Sequence, residues 1–289
     1  MRILLAGAAG MLGGDLARAA RRAGHEALPF DLPELDIVDG EAVRALLRRE
    51  EPQAIVNCAA WTDVDGAEER VQEAYAVNAA GAGNLARVAA ELEVPLVHVS
   101  TDYVFDGRPP VDSAGHERAY LERDPTGPRS VYGASKLAGE LEVLAASPRH
   151  AVARSAWLFG ADGRNFVDTM LGLAAERPAV RVVDDQIGCP TWTGHLAPAL
   201  VGLLERSVSG LLHLAGAGRV SWNGFAREIF RQAEIPCEAQ AVTSAEFPRP
   251  APRPAWSALE SERQDVLPLP PWQDGLAAYL AARDGMMRA

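Results

Sequence analysis

Near its start the chain reads Ile3-Leu-Leu-Ala6-Gly7-Ala-Ala-Gly10-Met-Leu-Gly13, and the rest of the sequence is best interpreted outward from this stretch. The four apolar residues predict a buried strand, and the glycines predict a tight turn into a helix. Glycines in such a turn let backbone N–H groups approach a pyrophosphate, which the helix N-terminus then faces. The stretch therefore predicts a dinucleotide-binding unit in which Gly7, Gly10 and Gly13 contact the cofactor.

Short apolar runs and longer amphipathic runs alternate through the first half of the chain. We predict strands at Ile3–Ala6, Glu26–Phe30, Ala54–Asn57, Leu96–Ser100 and Ala151–Arg154. We predict helices at Met11–Arg22, Glu41–Arg49, Val71–Glu91 and Tyr132–Ala145. This alternation is typical of right-handed βαβ units. It predicts an α/β fold, a Rossmann-like doubly wound parallel sheet with helices on both faces.

The alternation becomes irregular after Arg154. We predict a surface loop at 108–129, helices near 165–176, 195–206, 222–234 and 272–283, and strands at 180–183 and 211–214. Residues 1–154 are interpreted as a dinucleotide-binding domain, completed by parts of 194–216. Residues 155–193 and 217–289 would form a smaller C-terminal α/β substrate-binding portion over the carboxyl ends of the sheet, where such folds bind ligands.

Composition narrows the class of partner and the compartment. The 289 residues include 39 acidic and 28 basic side chains, a net charge of −11, which argues against nucleic acid or an anionic membrane as partner. No apolar run reaches the length of about 18 residues that a membrane helix needs. Three scattered cysteines without metal-ligand spacing are typical of a reducing compartment, so we expect a cytoplasmic protein.

Tyr132 and Lys136 form the strongest candidate for a catalytic pair. They stand four residues apart on a predicted helix and therefore share one face. Lys136 is the only lysine in the chain, so a chance pairing is a poor explanation. A nearby cation lowers the pKa of a phenol from its usual value of about 10. Thr101, at the end of the preceding strand, could donate a hydrogen bond to a substrate carbonyl.

Asp31 follows the second predicted strand, close to the spacing of about 20 residues at which a carboxylate binds the cofactor ribose. A carboxylate here favours NAD, whereas NADP usually requires a nearby arginine, and Arg21 and Arg22 are only loosely placed for that. The residues themselves leave the preference open.

Several further stretches carry a resemblance to a known family. They are Asp36-Ile37, Asn57-Cys-Ala-Ala-Trp-Thr62, Val77-Asn78, Ser100-Thr-Asp-Tyr-Val-Phe-Asp-Gly107, Arg154-Ser-Ala-Trp157-Leu-Phe-Gly160, Asn165-Phe-Val167 and Asp185-Gln-Ile-Gly-Cys-Pro-Thr191. With the glycines three apart, the chain resembles the extended branch of the short-chain dehydrogenase/reductase superfamily. Within that branch it resembles the dTDP-4-dehydrorhamnose reductase family over nearly its whole length.

That resemblance implies roles for individual residues. The catalytic set would be Thr101, Tyr132 and Lys136, with Tyr132 as proton donor. The cofactor contacts would be Gly7, Gly10, Met11, Leu12, Gly13, Asp31, Asp36, Ile37, Ala60, Trp61, Thr62, Tyr132 and Lys136. The sugar nucleotide would meet Thr101, Asp102, Tyr103 and Trp157. The resemblance implies NADPH, leaves NADH and a homodimer open, and offers no acidic set that matches a magnesium site, so we predict no obligatory metal.

The alternatives differ in substrate or in class. A dehydratase of this branch carries Asp-Glu after the catalytic threonine, whereas here Asp102 is followed by Tyr103. A reductase of another 4-keto nucleotide sugar would share all the catalytic residues. A non-catalytic NADP-binding regulatory subunit, like the β-subunit of methionine adenosyltransferase, could retain the same cofactor site.

A few other polar residues allow simpler roles. We expect Asn78 to satisfy backbone groups near the sheet, Cys58 and Cys189 to pack, and His98 to bind no metal. Arg253 could meet a diphosphate or lie on the surface.

Overall fold

The computed structural model describes the backbone of residues 1–287 and the side chains of residues 1–283. The strands are β1 Arg2–Ala6, β2 Glu26–Phe30, β3 Ala54–Asn57, β4 Leu96–Thr101, β5 Ala151–Ser155, β6 Leu158–Phe159, β7 Ala179–Val183, β8 Ile187–Gly188, β9 Thr191–Trp192, β10 Gly210–His213, β11 Val220–Ser221 and β12 Glu238–Val242. The helices are α1 Met11–Arg22, α2 Gly40–Glu50, α3 Val64–Glu69, α4 Val71–Tyr75, α5 Ala82–Glu91, α6 Val131–Ala146, α7 Phe166–Glu176, α8 Thr193–Glu205, α9 Trp222–Gln232 and α10 Trp272–Met287.

Six of the strands form one parallel sheet, in the order β10-β5-β4-β3-β1-β2. The chain order reverses between β1 and β3, as in a doubly wound fold, so the predicted fold class is confirmed. In this register Ala6 pairs with Asn57, Asn57 with His98, and Thr101 with Ser155. The carboxyl ends of the strands therefore meet at one edge, which is where the polar residues lie.

Helices cover both faces of this sheet because the strands are apolar on both sides. Helices α1 and α8 pack on one face, where Leu16 and Leu200 are fully buried. Helices α2, α5 and α6 cover the other face, with Leu47, Leu85 and Val143 fully buried among them. Burial of this kind contributes about 25 cal/mol per Å² of apolar surface, which makes the sheet a rigid base for the site.

A smaller α/β layer follows in the second half of the chain. Strands β7 and β12 pair in parallel, and α7 and α9 pack against them around Phe159, Phe225 and Ile229. Two further short strand pairs, β6 with β9 and β8 with β11, lie in the same half. Within residues 1–287, none of the helices has the length and apolar character that crossing a bilayer requires.

The predicted helix 71–91 is the main departure from the sequence interpretation. It is divided into α4, a π-helical turn at Ala76–Gly81, and α5. The π-helical turn contains Asn78, whose side chain hydrogen-bonds the backbone of Trp61 and the hydroxyl of Ser135 in α6. π-Bulges are frequent at functional sites. Hydrophobic periodicity reports the buried face of a helix and does not register this local change.

The elements that the sequence did not predict are short or mostly exposed. Helix α3 buries one residue, Ala67, and β12 buries Ala239 only, so neither carries a periodic apolar pattern. The predicted ends of the other elements differ from the observed ends by no more than two residues, as is usual where helix and strand ends fray, except that α10 continues to Met287, four residues past its predicted end.

Candidate active site

The glycine turn joins β1 to α1 at the carboxyl edge of the sheet. Gly7 has a φ of +78°, and a Cβ there would lie 2.5 Å from the backbone nitrogen of Ala59, so only glycine fits. Gly10 is the N-cap of α1, and among the described residues no side chain caps this helix. Its first turn, Met-Leu-Gly-Gly, carries no acidic residue. The helix N-terminus therefore suits an anion such as a pyrophosphate.

Asp31 lies directly beside this turn. Its carboxylate accepts hydrogen bonds from the backbone of Ala9 at 2.8 Å and of Leu32 at 2.8 Å, so it also holds the turn in shape. Asp36 is exposed and accepts from Val38 N at 2.9 Å, while Ile37 is buried, with 4% of its surface exposed. Both precede α2 on the β2 side of the turn.

Asn78 fixes the loop that carries Ala60, Trp61 and Thr62. Its Oδ1 accepts from Trp61 N at 2.8 Å, and its Nδ2 donates to Trp61 O at 3.2 Å and to Ser135 Oγ at 3.0 Å. Asn78 thus satisfies backbone groups, as predicted, and it also ties this loop to α6 between Tyr132 and Lys136.

Helix α6 approaches the end of β4 unusually closely. A Cβ on Gly133 would lie 2.2 Å from Tyr103 O, so glycine is required for this contact. The contact brings Tyr132 beside the 3₁₀ turn Asp102–Val104, where its ring lies edge-on to the ring of Tyr103 at 5.5 Å between centroids. Ser130 caps α6 through Gly133 N at 3.1 Å and thereby sets where the helix begins.

Thr101 and Asp102 lie buried next to the Tyr132 phenol. The Thr101 hydroxyl donates to Asp102 Oδ1 at 2.8 Å, whereas Asp102 Oδ2 finds no hydrogen-bond partner among the described residues. Burial raises the pKa of Asp102 to about 6. Burial also raises the pKa of Tyr132 to about 12, against a lowering by its hydrogen bond with Thr101. The phenol is therefore protonated at neutral pH.

Lys136 lies one turn beyond Tyr132 in the same helix and is buried. Its Nζ donates to Val99 O at 2.7 Å and lies 3.2 Å from His98 Nε2. Burial lowers its pKa to about 8. The sequence predicts that this cation lowers the pKa of Tyr132. The pKa is raised instead, because desolvation of the phenol is the dominant effect.

A buried ion pair anchors α6 to the sheet one turn beyond Lys136. Glu140 accepts from Arg154 Nε at 2.9 Å, from Arg154 Nη2 at 2.6 Å and from Ser100 Oγ at 2.6 Å. These contacts join α6 to both β4 and β5, the strands on which Thr101 and Trp157 depend for their positions.

Comparison with known proteins places this geometry in a family. The family described as "RmlD substrate binding domain" matches residues 1–284. A dTDP-4-dehydrorhamnose reductase of Mycobacterium tuberculosis is 46% identical over 288 residues, 97% of this chain and 93% of the relative. The chain belongs to the dTDP-4-dehydrorhamnose reductase family.

Two further relatives bear on cofactor and substrate. A dTDP-4-dehydrorhamnose reductase of Bacillus anthracis, solved in complex with NADP, is 35% identical and superimposes with a TM-score of 0.92, covering 97% of this chain and 99% of that one. A probable dTDP-4,6-dihydroxy-2-methyloxan-3-one 4-ketoreductase of Streptomyces antibioticus is 42% identical over 96% of this chain and 93% of the relative.

Trp157 follows β5 in this dTDP-4-dehydrorhamnose reductase family member and packs against α9. Its φ is +48°, a conformation that costs a bulky residue about 1–3 kcal/mol, and its ring stacks on Trp222 at 3.5 Å. A Cβ on Gly188 would lie 2.3 Å from the Trp157 ring, so the indole packs directly against that backbone. The strained backbone and the stacking on Trp222 together hold the Trp157 ring in one orientation.

Sequence reasoning missed the partners of the catalytic candidates. His98 contacts Lys136 and also Asn57, although the three residues are far apart in the sequence. The available signal was a histidine inside the apolar strand Leu96-Val-His-Val, because a buried polar group must find a partner. Arg253 is neither free nor on the open surface, since it pairs with both carboxylate oxygens of Asp65 at 2.9 Å.

Proposed function

We propose that this protein reduces the C4 ketone of dTDP-4-dehydro-L-rhamnose to give dTDP-L-rhamnose, in deoxysugar synthesis for cell-surface polysaccharide. NADPH is the proposed reductant, with NADH as the alternative. The observation that carries the proposal is the convergence of Thr101, Tyr132 and Lys136 at the carboxyl edge of the sheet that also holds the glycine turn, with Thr101 and Lys136 buried and Tyr132 partly buried.

The residues around the glycine turn fit a dinucleotide. The uncapped N-terminus of α1 at Gly10 would hold the pyrophosphate, with Met11, Leu12 and Gly13 in its first turn. The adenosine side would lie toward Asp31, Asp36 and Ile37, and the nicotinamide side toward the loop of Ala60, Trp61 and Thr62. When bound, the cofactor supplies the hydride for the ketone carbon.

The reaction requires a proton for the alkoxide that forms at C4. Tyr132 is suited to supply it, because burial keeps the phenol protonated at neutral pH. The Thr101 hydroxyl would hold and polarise the carbonyl oxygen as a hydrogen-bond donor once its single hydrogen turns away from Asp102 Oδ1, to which it donates in the free protein. Lys136 would hold the nicotinamide ribose, since a compact ammonium fits where a planar guanidinium would not.

The substrate would bind between the sheet edge and the second half of the chain, which we propose as the substrate-binding portion, residues 155–193 and 217–289. Asp102 and Tyr103 approach from the sheet side and Trp157 from the opposite side. Asp102 Oδ2, buried and unpaired among residues 1–283, is available to a substrate hydroxyl.

The decisive experiment supplies the purified protein with dTDP-4-dehydro-L-rhamnose and either NADPH or NADH, and follows oxidation of the nicotinamide. A second arm supplies the 4-keto nucleotide sugar with the other configuration at C5. Oxidation with the L-rhamnose precursor alone supports the proposal. Oxidation only with another 4-keto sugar favours the different substrate that the Streptomyces antibioticus relative exemplifies.

The regulatory-subunit alternative makes the opposite prediction. A protein of that kind would bind NADPH, turn over no 4-keto nucleotide sugar, and recover a stoichiometric partner enzyme from an extract. The clustering of Thr101, Tyr132 and Lys136 favours the enzyme, because a subunit that only binds the cofactor has no need of a proton donor held beside the cofactor site.

We also propose the partner, the compartment and the assembly of the enzyme. The net charge of −11 and the absence of any basic motif favour a small-molecule partner over nucleic acid or a membrane surface. Free cysteines at positions 58, 189 and 237 fit the cytoplasm. A homodimer is the proposed assembly, and light scattering of the purified protein would test it.

A further inference from the structure

Three buried side chains form a hydrogen-bonded chain behind the proposed active site. Asn57 ends β3, His98 lies in β4 and Lys136 lies in α6, and each has no more than 2% of its surface exposed. Asn57 Nδ2 is 3.1 Å from His98 Nδ1, and His98 Nε2 is 3.2 Å from Lys136 Nζ. Neither Asn57 nor His98 has a part in the proposed reaction.

The backbone determines which way the Asn57 amide faces. Ala59 N donates to Asn57 Oδ1 at 3.0 Å, so the oxygen must face Ala59 and the NH₂ group must face His98. An amide rotated by half a turn would bring two donors, Asn57 Nδ2 and Ala59 N, together. His98 Nδ1 is therefore the acceptor for Asn57.

This orientation determines the proton on the other imidazole nitrogen. A neutral histidine has one N–H and one bare nitrogen, so with Nδ1 accepting, the hydrogen sits on Nε2 and faces Lys136. An ammonium has three donors and no acceptor, and it would place donor against donor across the 3.2 Å contact. An uncharged amine can donate to Val99 O and accept from His98 at once.

We infer that Asn57 and His98 together favour the uncharged form of the Lys136 amine over the ammonium in the free protein, because the His98 Nε2 hydrogen is donated to the amine. His98 is thus a positioning residue that acts through Lys136.

The charged surroundings of Lys136 are compatible with this. Burial lowers the pKa of the lysine to about 8, so the uncharged amine is a minor form at pH 7 and predominates above pH 8. Burial also lowers the pKa of His98 well below its usual value, so the imidazole stays neutral. Two other groups face the amine. Burial raises the pKa of the Cys58 thiol to about 12, so it is uncharged at neutral pH, and the Glu140 carboxylate, which raises the lysine pKa, is already paired with Arg154.

The consequence for turnover rests on the proposed function. The fraction of Lys136 that is uncharged must gain a proton before it can act as a cation toward the cofactor, so the Asn57–His98 pair shifts the pH range in which cofactor binding takes up a proton. This role goes beyond the ribose contact that the family resemblance implies for Lys136.

The sequence offers a direct test because Lys136 is the only lysine. Protein labelled with ¹⁵N-lysine gives one side-chain amine resonance, which can be titrated without substrate or cofactor. We expect a midpoint at or below pH 8 in the wild type. In His98→Gln an amide oxygen can accept from the ammonium, and we expect the midpoint to rise by at least about one pH unit, a tenfold change in proton affinity.

A matched control is His150→Gln. His150 is also buried, but its Nε2 bonds Ala86 O, so this variant should leave the lysine midpoint unchanged. A second measurement needs no variant, because ¹⁵N shifts of the imidazole nitrogens report the His98 tautomer directly.

An Nε2–H tautomer together with the raised midpoint in His98→Gln supports the inference. An Nδ1–H tautomer, a wild-type midpoint near the ordinary lysine value of about 10.4, or equal midpoints in wild type and His98→Gln would overturn it. A protein that shows the expected resonances but no turnover would overturn the proposed function alone.

Discussion

Tyr132 is the residue on which the proposed chemistry depends most directly. Its side chain is partly buried, and desolvation raises its pKa to about 12, so it carries its proton throughout the neutral range. A general acid must be protonated before it can act, and the environment of this phenol ensures that.

We expect Tyr132→Phe to lower kcat by about 10²–10⁴-fold and to leave the Kd for NADPH nearly unchanged, because only the hydroxyl is lost. Steady-state kinetics and fluorescence titration would measure the two quantities. Tyr75→Phe, at an exposed position in α4, is the matched control and should behave as wild type. Near-normal kcat in Tyr132→Phe would remove the phenol from the mechanism.

Asp102 makes stability depend on pH in a direction that can be worked out. Its folded pKa of about 6 lies above its usual value, so the native state binds the proton more tightly than the unfolded state does. The free energy of unfolding therefore falls as pH rises from about 4 through 6, and the loss is complete above that range.

Asp102→Asn removes this dependence and retains an oxygen that can accept from Thr101. Relative to wild type, we expect the variant to gain about 2–3 kcal/mol between about pH 4 and pH 8, since each pKa unit corresponds to about 1.4 kcal/mol. Urea denaturation at the two pH values measures this. A stability difference that is the same at both would show that the carboxyl does not titrate in this range.

At the scale of the element, α6 carries Tyr132 and Lys136 and is held by contacts near its N-terminus and at its middle. Near its N-terminus Gly133 permits close approach to Tyr103 O, and one turn beyond Lys136 the Glu140–Arg154 pair anchors it to the sheet. The position of the whole helix, more than any single rotamer, determines where Tyr132 lies.

Gly133→Ala tests the close approach. The added methyl would lie 2.2 Å from a backbone oxygen, so we expect a loss of about 1–3 kcal/mol and a lower kcat, as α6 moves away from Thr101. Gly172→Ala in α7 is the control, because its Cβ would meet open space among the described residues, and it should be neutral or stabilising by up to about 1 kcal/mol. Equal effects of the two substitutions would contradict the account.

The Glu140–Arg154 pair has an exposed counterpart in the same helix. Glu140→Gln leaves Arg154 buried with an uncompensated charge, which costs about 3–5 kcal/mol. Glu142→Gln breaks the exposed pair with Arg87 and should change stability by less than about 1 kcal/mol. Chemical denaturation of both variants measures the difference, and similar values would argue that the buried pair is not what anchors α6.

At the scale of the whole molecule, the parallel sheet collects residues from across the chain at one edge. Thr101 ends β4, the glycine turn follows β1, and Trp157 comes soon after β5. Arg253, from the proline-rich segment near the C-terminal end, reaches back to Asp65 in α3 and ties the two halves together.

Cofactor binding should therefore stabilise the molecule as a unit. At a free NADPH concentration of about 100 times Kd we expect a gain of about 2.7 kcal/mol, rising by about 1.4 kcal/mol for each further tenfold. Thermal unfolding over a range of NADPH concentrations measures this. A melting temperature that does not depend on NADPH would count against the cofactor site, and the same series with NADH would rank the two nucleotides.

Much of this arrangement could be predicted from local pattern. Alternating apolar and amphipathic runs predicted strands β1 to β5 and helices α1, α2 and α6, but they missed α3 and merged α4 and α5 into one helix. The spacing of Tyr132 and Lys136 predicted that they share a helix face. The π-helical turn at Ala76–Gly81 was not predictable. Its residue Asn78 makes hydrogen bonds to partners that are 17 and 57 residues away in the sequence.

The sequence by itself determined the order of elements, the glycine turn and the pair of reactive side chains, since each depends on neighbours within one or two turns of the chain. Only the tertiary structure decided what surrounds Lys136. Asn57, His98 and Lys136 come from three elements. They meet because β3 pairs with β4, which brings Asn57 beside His98, and because α6 packs against β4. The periodicity of the sequence does not encode contacts between elements that are distant in the chain. Once these side chains are buried together, their hydrogen bonds determine which protonation state of Lys136 is favoured.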